Sequence, residues 1–246
     1  MDKVLLCIET STDVCSAAVV SKERGVLSWR ISEGGNHSQL LPRFVDELIG
    51  ELRESKRAAG TDNNSSDRGK IIDAVAVSSG PGSYTGLRIG VSTGKGLAYG
   101  LGVPLISIPT LELLCECALA GGETEEGSML CPMIDARRME VFTALYDREL
   151  NEIMGLRAQV VSDGNWLPSG KIYYFGNGAE KCEEILSGED QCVRTMRLLK
   201  GIRADARMMG RLAIRKSEEG QTVDVAYFEP LYLKEFVAAP SHIKGL

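Results

Sequence analysis

Histidine is nearly missing from this 246-residue chain, which holds only His37 and His242. A His-based metal site or a catalytic triad has almost nothing to be built from. Aromatic residues are few, at 6%. No apolar run approaches the ~20 residues of a membrane span. The opening "MDKVLLCIETSTD" is interrupted by Glu9 and lacks a signal peptide's shape. No C-x-x-C occurs among the seven scattered cysteines. They are expected to be reduced and to act as small hydrophobes in a cytoplasmic protein. Positive charge is not in excess either: 28 Lys and Arg stand against 34 Asp and Glu, a net charge of −6. Bulk attraction to nucleic acid needs a positive surface, so it is excluded as the main mode of action.

What is present is an ordinary globular balance, 43% hydrophobic and 25% charged. Three short apolar runs, Val4–Ile8, Ser16–Val20 and Val26–Ile31, predict an antiparallel meander. A helix over Ser38–Glu54 follows, with Ser38 as its expected N-cap. Ile71–Val77 and Val103–Ile108 read as strands, with helices over Tyr84–Gly100 and Thr110–Ala120. The polar break "GGETEEGS" (Gly121–Ser128) marks a candidate domain boundary, and the lobes are expected at 1–108 and 109–246. Strands are expected at Met129–Ile134, Glu140–Tyr146, Ile153–Val161 and Ile172–Phe175. Helices are expected over Ala179–Leu186 and Ala204–Lys216. The last segment is expected to pack back toward the first lobe. The class is α/β with mixed sheets.

The stretch "SSGPGSYTGLRIGVSTGKG" (Ser78–Gly96) carries six glycines. It fails as a Walker A loop, because Gly90 is one residue too close to Gly94-Lys95 and Gly96 replaces the hydroxyl that meets magnesium. It fails as a dinucleotide fingerprint, because Thr85 stands where the third glycine belongs. Gly86, Gly90, Gly94 and Ala98 recur every four residues and give one helix face almost no side chain. Each interior glycine costs about 1 kcal/mol against alanine, so something must approach closely. That element is either the protein's own sheet or a helix from elsewhere. The preceding helix places Leu40, Leu41, Phe44, Val45, Leu48, Ile49 and Leu52 over nearly half its circumference. It is either well buried in its own domain or shared between the domain and a partner. Asp135-Ala136-Arg137-Arg138 reads as a hairpin turn.

Several segments together resemble the TsaB family, also called YeaZ. They are "LLCIETSTDVCSAAVV", "NHSQLLP", "SSGPGSYTGLRIGVSTGKGLAYGLGVPLISIPTLELL", "MIDARRMEVFTALY", "FGNGAEK" and "FEPLYLKE". They stand in family order across nearly the whole chain. The resemblance implies an actin-like (ASKHA, ribonuclease H-like) fold of two related lobes. It implies a role in making N6-threonylcarbamoyladenosine at position 37 of tRNA. There the protein would be a non-catalytic dimerisation subunit for the transferase TsaD, alongside the ATPase TsaE. The implied interface is the first two helices, with Leu41, Phe44, Val45, Leu48, Gly90 and Gly94 on it and Arg88 and Lys95 at its rim. On that expectation, Gly90→Leu or Leu48→Asp would break pairing and spare the fold. A homodimer through the same surface is expected when TsaD is missing, and tRNA is met only through the complex.

No tightly bound cofactor is implied; ATP or ADP would sit at the interface with TsaD. TsaD carries H-x3-H where this chain has Thr110 and Leu114, so no metal or catalytic residue is carried over. Glu9, Thr10 and Ser11 form at most a vestigial phosphate turn, with Glu9 where the family usually has Asp. The alternatives are an actin-like phosphotransferase that turns over ATP, and a glycoprotease-type peptidase.

Overall fold

The computed structural model describes residues 2–59, 70–187 and 194–233. His242 and Cys192 lie outside them. The strands among the described residues form two five-stranded mixed sheets.

The first sheet begins with β1 (Val4–Glu9), β2 (Val14–Ser21) and β3 (Gly25–Glu33), an antiparallel meander. β1 and β2 are buried at every position, because helices cover both faces of the sheet, which explains their unbroken apolar runs. After α1 (His37–Ala58), β4 (Ala74–Ser78) joins parallel to β1. Then α2 (Tyr84–Leu101) crosses over and β5 (Leu105–Ile108) joins parallel to β4. The strand order is β3-β2-β1-β4-β5.

The second sheet repeats this plan. β6 (Met129–Asp135), β7 (Glu140–Tyr146) and β8 (Glu152–Val160) form the meander. β9 (Gly170–Phe175) and β10 (Arg194–Leu199) extend it in parallel, giving β8-β7-β6-β9-β10. Where the first lobe has α2, the second has a 3-10 turn (Glu180–Cys182) and the one-turn α4 (Glu183–Leu186). The sequence reading missed β10 entirely. Its Arg194 and Arg197 interrupt any apolar run, and Arg194 bonds the carbonyls of Leu167 and Pro168 at 2.6 and 3.0 Å.

Between the sheets lie α3 (Thr110–Ala120), a 3-10 turn (Ala206–Met209) and α5 (Gly210–Glu218). α3 packs on β6 and β7, whereas α5 packs on β1 and β5. α3 thus covers the inner face of the second sheet and α5 that of the first. The central core combines Leu5, Cys7, Ile106 and Ile108 with Leu111, Leu114, Phe142, Tyr173, Phe175 and Leu212.

α1 and α2 cover the outer face of the first sheet. Leu41, Phe44, Val45 and Leu48 are all buried there, with Leu41 and Leu48 at 0% exposure. This corrects their assignment to a partner interface. α1 packs against β2, β3 and α2 at once. That three-sided seat is why its apolar arc is so wide.

After α5 the chain returns along the first sheet. Val223 donates to the Leu105 carbonyl at 2.9 Å, and Leu231 donates to that of Ser79 at 2.8 Å. Lys95 donates to the carbonyls of Ala226 and Phe228 at 3.1 and 2.9 Å. The Arg88 guanidinium lies 4.4 Å from the centre of the Tyr84 ring, which stacks at 4.8 Å on Tyr232. Arg88 and Lys95 therefore clamp the protein's own C-terminal strap.

Candidate functional site: the interlobe cleft and the outer face of two helices

The glycine-rich segment is organised by the turn that follows β1. Ser83 caps α2, its Oγ accepting from the Gly86 amide at 3.2 Å. The Ser83 amide donates to the Ser11 carbonyl at 2.6 Å. Thr10 donates its hydroxyl to the Gly86 carbonyl at 2.8 Å. A side chain at Gly82 would meet the Ser11 carbonyl at 2.2 Å, and one at Gly86 the Thr10 carbonyl at 2.1 Å. At Gly90 it would meet Thr10 Oγ1 at 2.1 Å, and at Gly94 the Val77 side chain at 2.3 Å. The close approach predicted from spacing is real, but the neighbour is the protein's own first sheet. Gly90 and Gly94 are corrected accordingly: they are packing residues, not partner contacts.

A second small-residue row faces outward. Cβ positions at Gly96 and Gly100 on α2, and at Gly50 on α1, meet nothing within 4 Å. With Ser92 they leave a smooth surface, beside which Tyr99 is 82% exposed. Ser92, Gly96 and Gly100 also recur every four residues. The signal was in the sequence, hidden beneath the longer inward row.

A cleft of about 1010 Å³ separates the lobes. Ser11, Thr12, Ser83 and Thr85 line one side, Arg137, Arg138 and Asn177 the other, and Leu231 and Tyr232 of the strap also reach it. Arg137 and Arg138 both adopt left-handed backbone, with φ of 70° and 51°. Lys181 fixes their turn by pairing with Asp135 and donating to the carbonyls of Arg138 and Glu140 at 2.7 Å each.

Of the three residues read as a vestigial phosphate turn, only Ser11 reaches this cleft. Glu9 and Thr10 are 0% exposed. One Glu9 oxygen accepts from the amide and the hydroxyl of Ser11, at 2.5 Å each. The other is buried without a hydrogen-bond partner. Burial pushes the Glu9 carboxyl up to about 7 from an ordinary 4.5, against the lowering effect of the Ser11 hydrogen bonds and of the nearby Ser78 hydroxyl. Glu9 does not line the cleft, so in this arrangement it meets no magnesium-bound water there. The residues present do not fit a metal–nucleotide site, and no step is derived through one.

Thr110 heads α3, and Leu114 is in the central core. Among the described residues no cluster of His, Cys, Asp and Glu could hold a metal. His37 is buried, with its Nε2 3.2 Å from the Val14 carbonyl oxygen. The N-cap of α1 is Asn36 in the left-handed region, not Ser38. The six described cysteines are free, and burial raises Cys7, Cys15 and Cys131 to between about 11 and 12, the opposite of an activated thiol. No described helix is long and apolar enough to cross a membrane.

These features define a two-lobed actin-like (ASKHA) protein whose two outer helices carry a smooth exposed surface. A family model described as TsaD, tRNA N6-adenosine threonylcarbamoyltransferase, matches residues 33–238. The tRNA threonylcarbamoyladenosine biosynthesis protein TsaB of Escherichia coli K12 is 28% identical over 243 residues, which is 95% of this chain and 96% of that protein. TsaB of Bacillus subtilis 168 is 33% identical over 161 residues, 65% of this chain and 61% of its own. In fold the chain is similar to YeaZ from Pseudomonas aeruginosa, with a TM-score of 0.73 at 24% identity over 94% of this chain and all of that one. The chain belongs to the TsaB (YeaZ) family, a relative of TsaD.

Proposed function

We propose that this chain is a non-catalytic docking subunit for a TsaD-type transferase in the formation of N6-threonylcarbamoyladenosine on tRNA. The observation that carries the reading is the outward row on the paired helices. Gly50, Gly96 and Gly100 sit inside helices, and among the described residues nothing packs on them. Each costs the helix about 1 kcal/mol against alanine. Close approach by a partner's helix offsets that cost. The relationship to TsaD proteins supports a TsaD-type transferase as that partner. The buried Glu9 and the Thr110 and Leu114 positions support a supporting role rather than transfer or ATP turnover by this chain.

On this reading a TsaE-type ATPase and tRNA meet the chain through the complex. ATP or ADP binds at the interface with the transferase, this chain contributing little. A homodimer forms over the same helices when the transferase is missing.

Gly96→Leu and Gly100→Leu test the surface. Both positions have open space and ordinary helical backbone, so each variant should fold as the wild type does. Sedimentation with the purified transferase should show the wild type pairing one to one and both variants at least about tenfold weaker, a loss of about 1.4 kcal/mol. Normal pairing by both variants would place the interface elsewhere.

A further inference from the structure

The docking helix is anchored at its first turn by a carboxyl group from another element. Glu9 ends β1 and accepts from both the amide and the hydroxyl of Ser11. Ser11 passes its carbonyl to the amide of Ser83, the cap of α2. Thr10 ties its hydroxyl to the Gly86 carbonyl one turn further on. Gly82 and Gly86 leave no slack between the turn and the helix, since even a methyl group would collide at either. In so close-packed a junction, a rearrangement at the carboxyl is passed to the helix rather than absorbed.

The surroundings of Glu9 favour its neutral form. Its second oxygen has no partner. Asp205 faces it from the 3-10 turn before α5 and raises it further, while the Ser78 hydroxyl from β4 acts the other way; Cys15 and Cys117 lie within electrostatic range from β2 and α3. The Arg207 guanidinium holds Asp205 at 2.9 and 2.5 Å, so that cation is already engaged. The 3-10 turn is itself tied to the strand beside Glu9, the Ala206 amide donating to Ser16 Oγ at 3.0 Å. Loss of the Glu9 proton leaves a buried charge beside another carboxylate, with only the Ser11 and Ser78 donors to offset the lost solvation. Water relieves that state, and the route from the cleft runs through Ser11 and Thr12, which line it. Water enters that way by displacing the turn that holds α2.

Resting on the docking role above, we propose that Glu9 is a proton-operated latch on the docking helix. Protonated, it holds the 10–12 turn and the first turn of α2 in the form that meets the partner. Deprotonated, it admits water from the cleft, loosens that first turn and weakens docking. Burial puts the change in the near-neutral range.

Amide hydrogen exchange on the isolated chain tests the latch without any partner. Protection factors at Ser83 and Gly86, corrected for the intrinsic pH dependence of exchange, should fall about tenfold from pH ~6 to ~8 in the wild type. In Glu9→Gln they should stay constant. Asp205→Asn removes a neighbour that raises Glu9, so its midpoint should move to lower pH. It keeps the test open should Glu9→Gln fail to fold. Pairing with the transferase should weaken with the same midpoint as the exchange. A flat wild-type profile, or one that Glu9→Gln reproduces, would overturn the latch. A normal exchange profile with no pairing at any pH would overturn the docking role and leave the latch standing.

Discussion

Gly90→Leu is expected to unfold the protein, not merely to separate it from a partner. The new Cβ would lie 2.1 Å from Thr10 Oγ1 and 3.3 Å from its Cβ. Thr10 is fully buried, and its hydroxyl is committed to the Gly86 carbonyl, so it has nowhere to turn. The helix must lift from the sheet, breaking the packing of Leu87, Val91 and Ala98 beneath it. Overpacking a core ordinarily costs about 1–3 kcal/mol. A leucine here adds a backbone displacement to that, within a total stability of about 5–15 kcal/mol. Leu48→Asp should behave alike, since it buries an unpaired carboxylate at a position with no exposure. Gly96→Leu should keep wild-type stability within about 1 kcal/mol. Urea denaturation followed by circular dichroism separates these outcomes. A cooperative Gly90→Leu transition near the wild-type midpoint would contradict the packing described for α2.

The second large effect is a dependence of stability on pH that one substitution removes. Glu9 titrates at about 7 in the fold, against an ordinary 4.5. A raised acid favours the folded state only while it is protonated. Its contribution is therefore complete below pH 4.5 and is lost as pH rises through 7. A rise from 4.5 to about 7 corresponds to about 3 kcal/mol. Measured by urea denaturation at a series of pH values, the wild type should lose about that much more stability than Glu9→Gln between pH ~4.5 and ~8. Differencing the two chains cancels every other titrating group. Equal slopes would show that Glu9 is solvated or paired in the folded protein.

Much of this architecture was legible in the sequence. The apolar runs marked nine of the ten described strands because most are covered on both faces. The tenth, β10, hides behind Arg194 and Arg197, whose side chains serve neighbouring groups instead of a core. The helices Tyr84–Gly100 and Thr110–Ala120 were found almost to the residue. The Ala204–Lys216 helix proved to be a 3-10 turn leading into α5.

The site was harder to read, for a geometric reason. α2 carries two smooth rows, Gly86-Gly90-Gly94-Ala98 and Ser92-Gly96-Gly100. An offset of two residues at 3.6 per turn puts them about 200° apart, on opposite sides of the helix. Periodicity reports both rows and cannot say which meets the sheet. Only the seating of Gly90 on Thr10 and Gly94 on Val77 decides it. The wide arc of α1 misled in the same way. Three neighbours within one chain bury as broad a face as a domain and a partner would. Arg88 and Lys95 were beyond local pattern, because what they hold lies more than 130 residues away along the chain.

The docking role is tested most directly by reconstituted tRNA modification. Purified transferase, its ATPase partner, the activated threonylcarbamoyl donor and unmodified tRNA are combined with this chain, without it, or with Gly96→Leu in its place. The account predicts modified adenosine only with the wild-type chain, a large loss with Gly96→Leu, and none from this chain alone with donor and tRNA. Full modification without the chain, or modification by the chain alone, would contradict it.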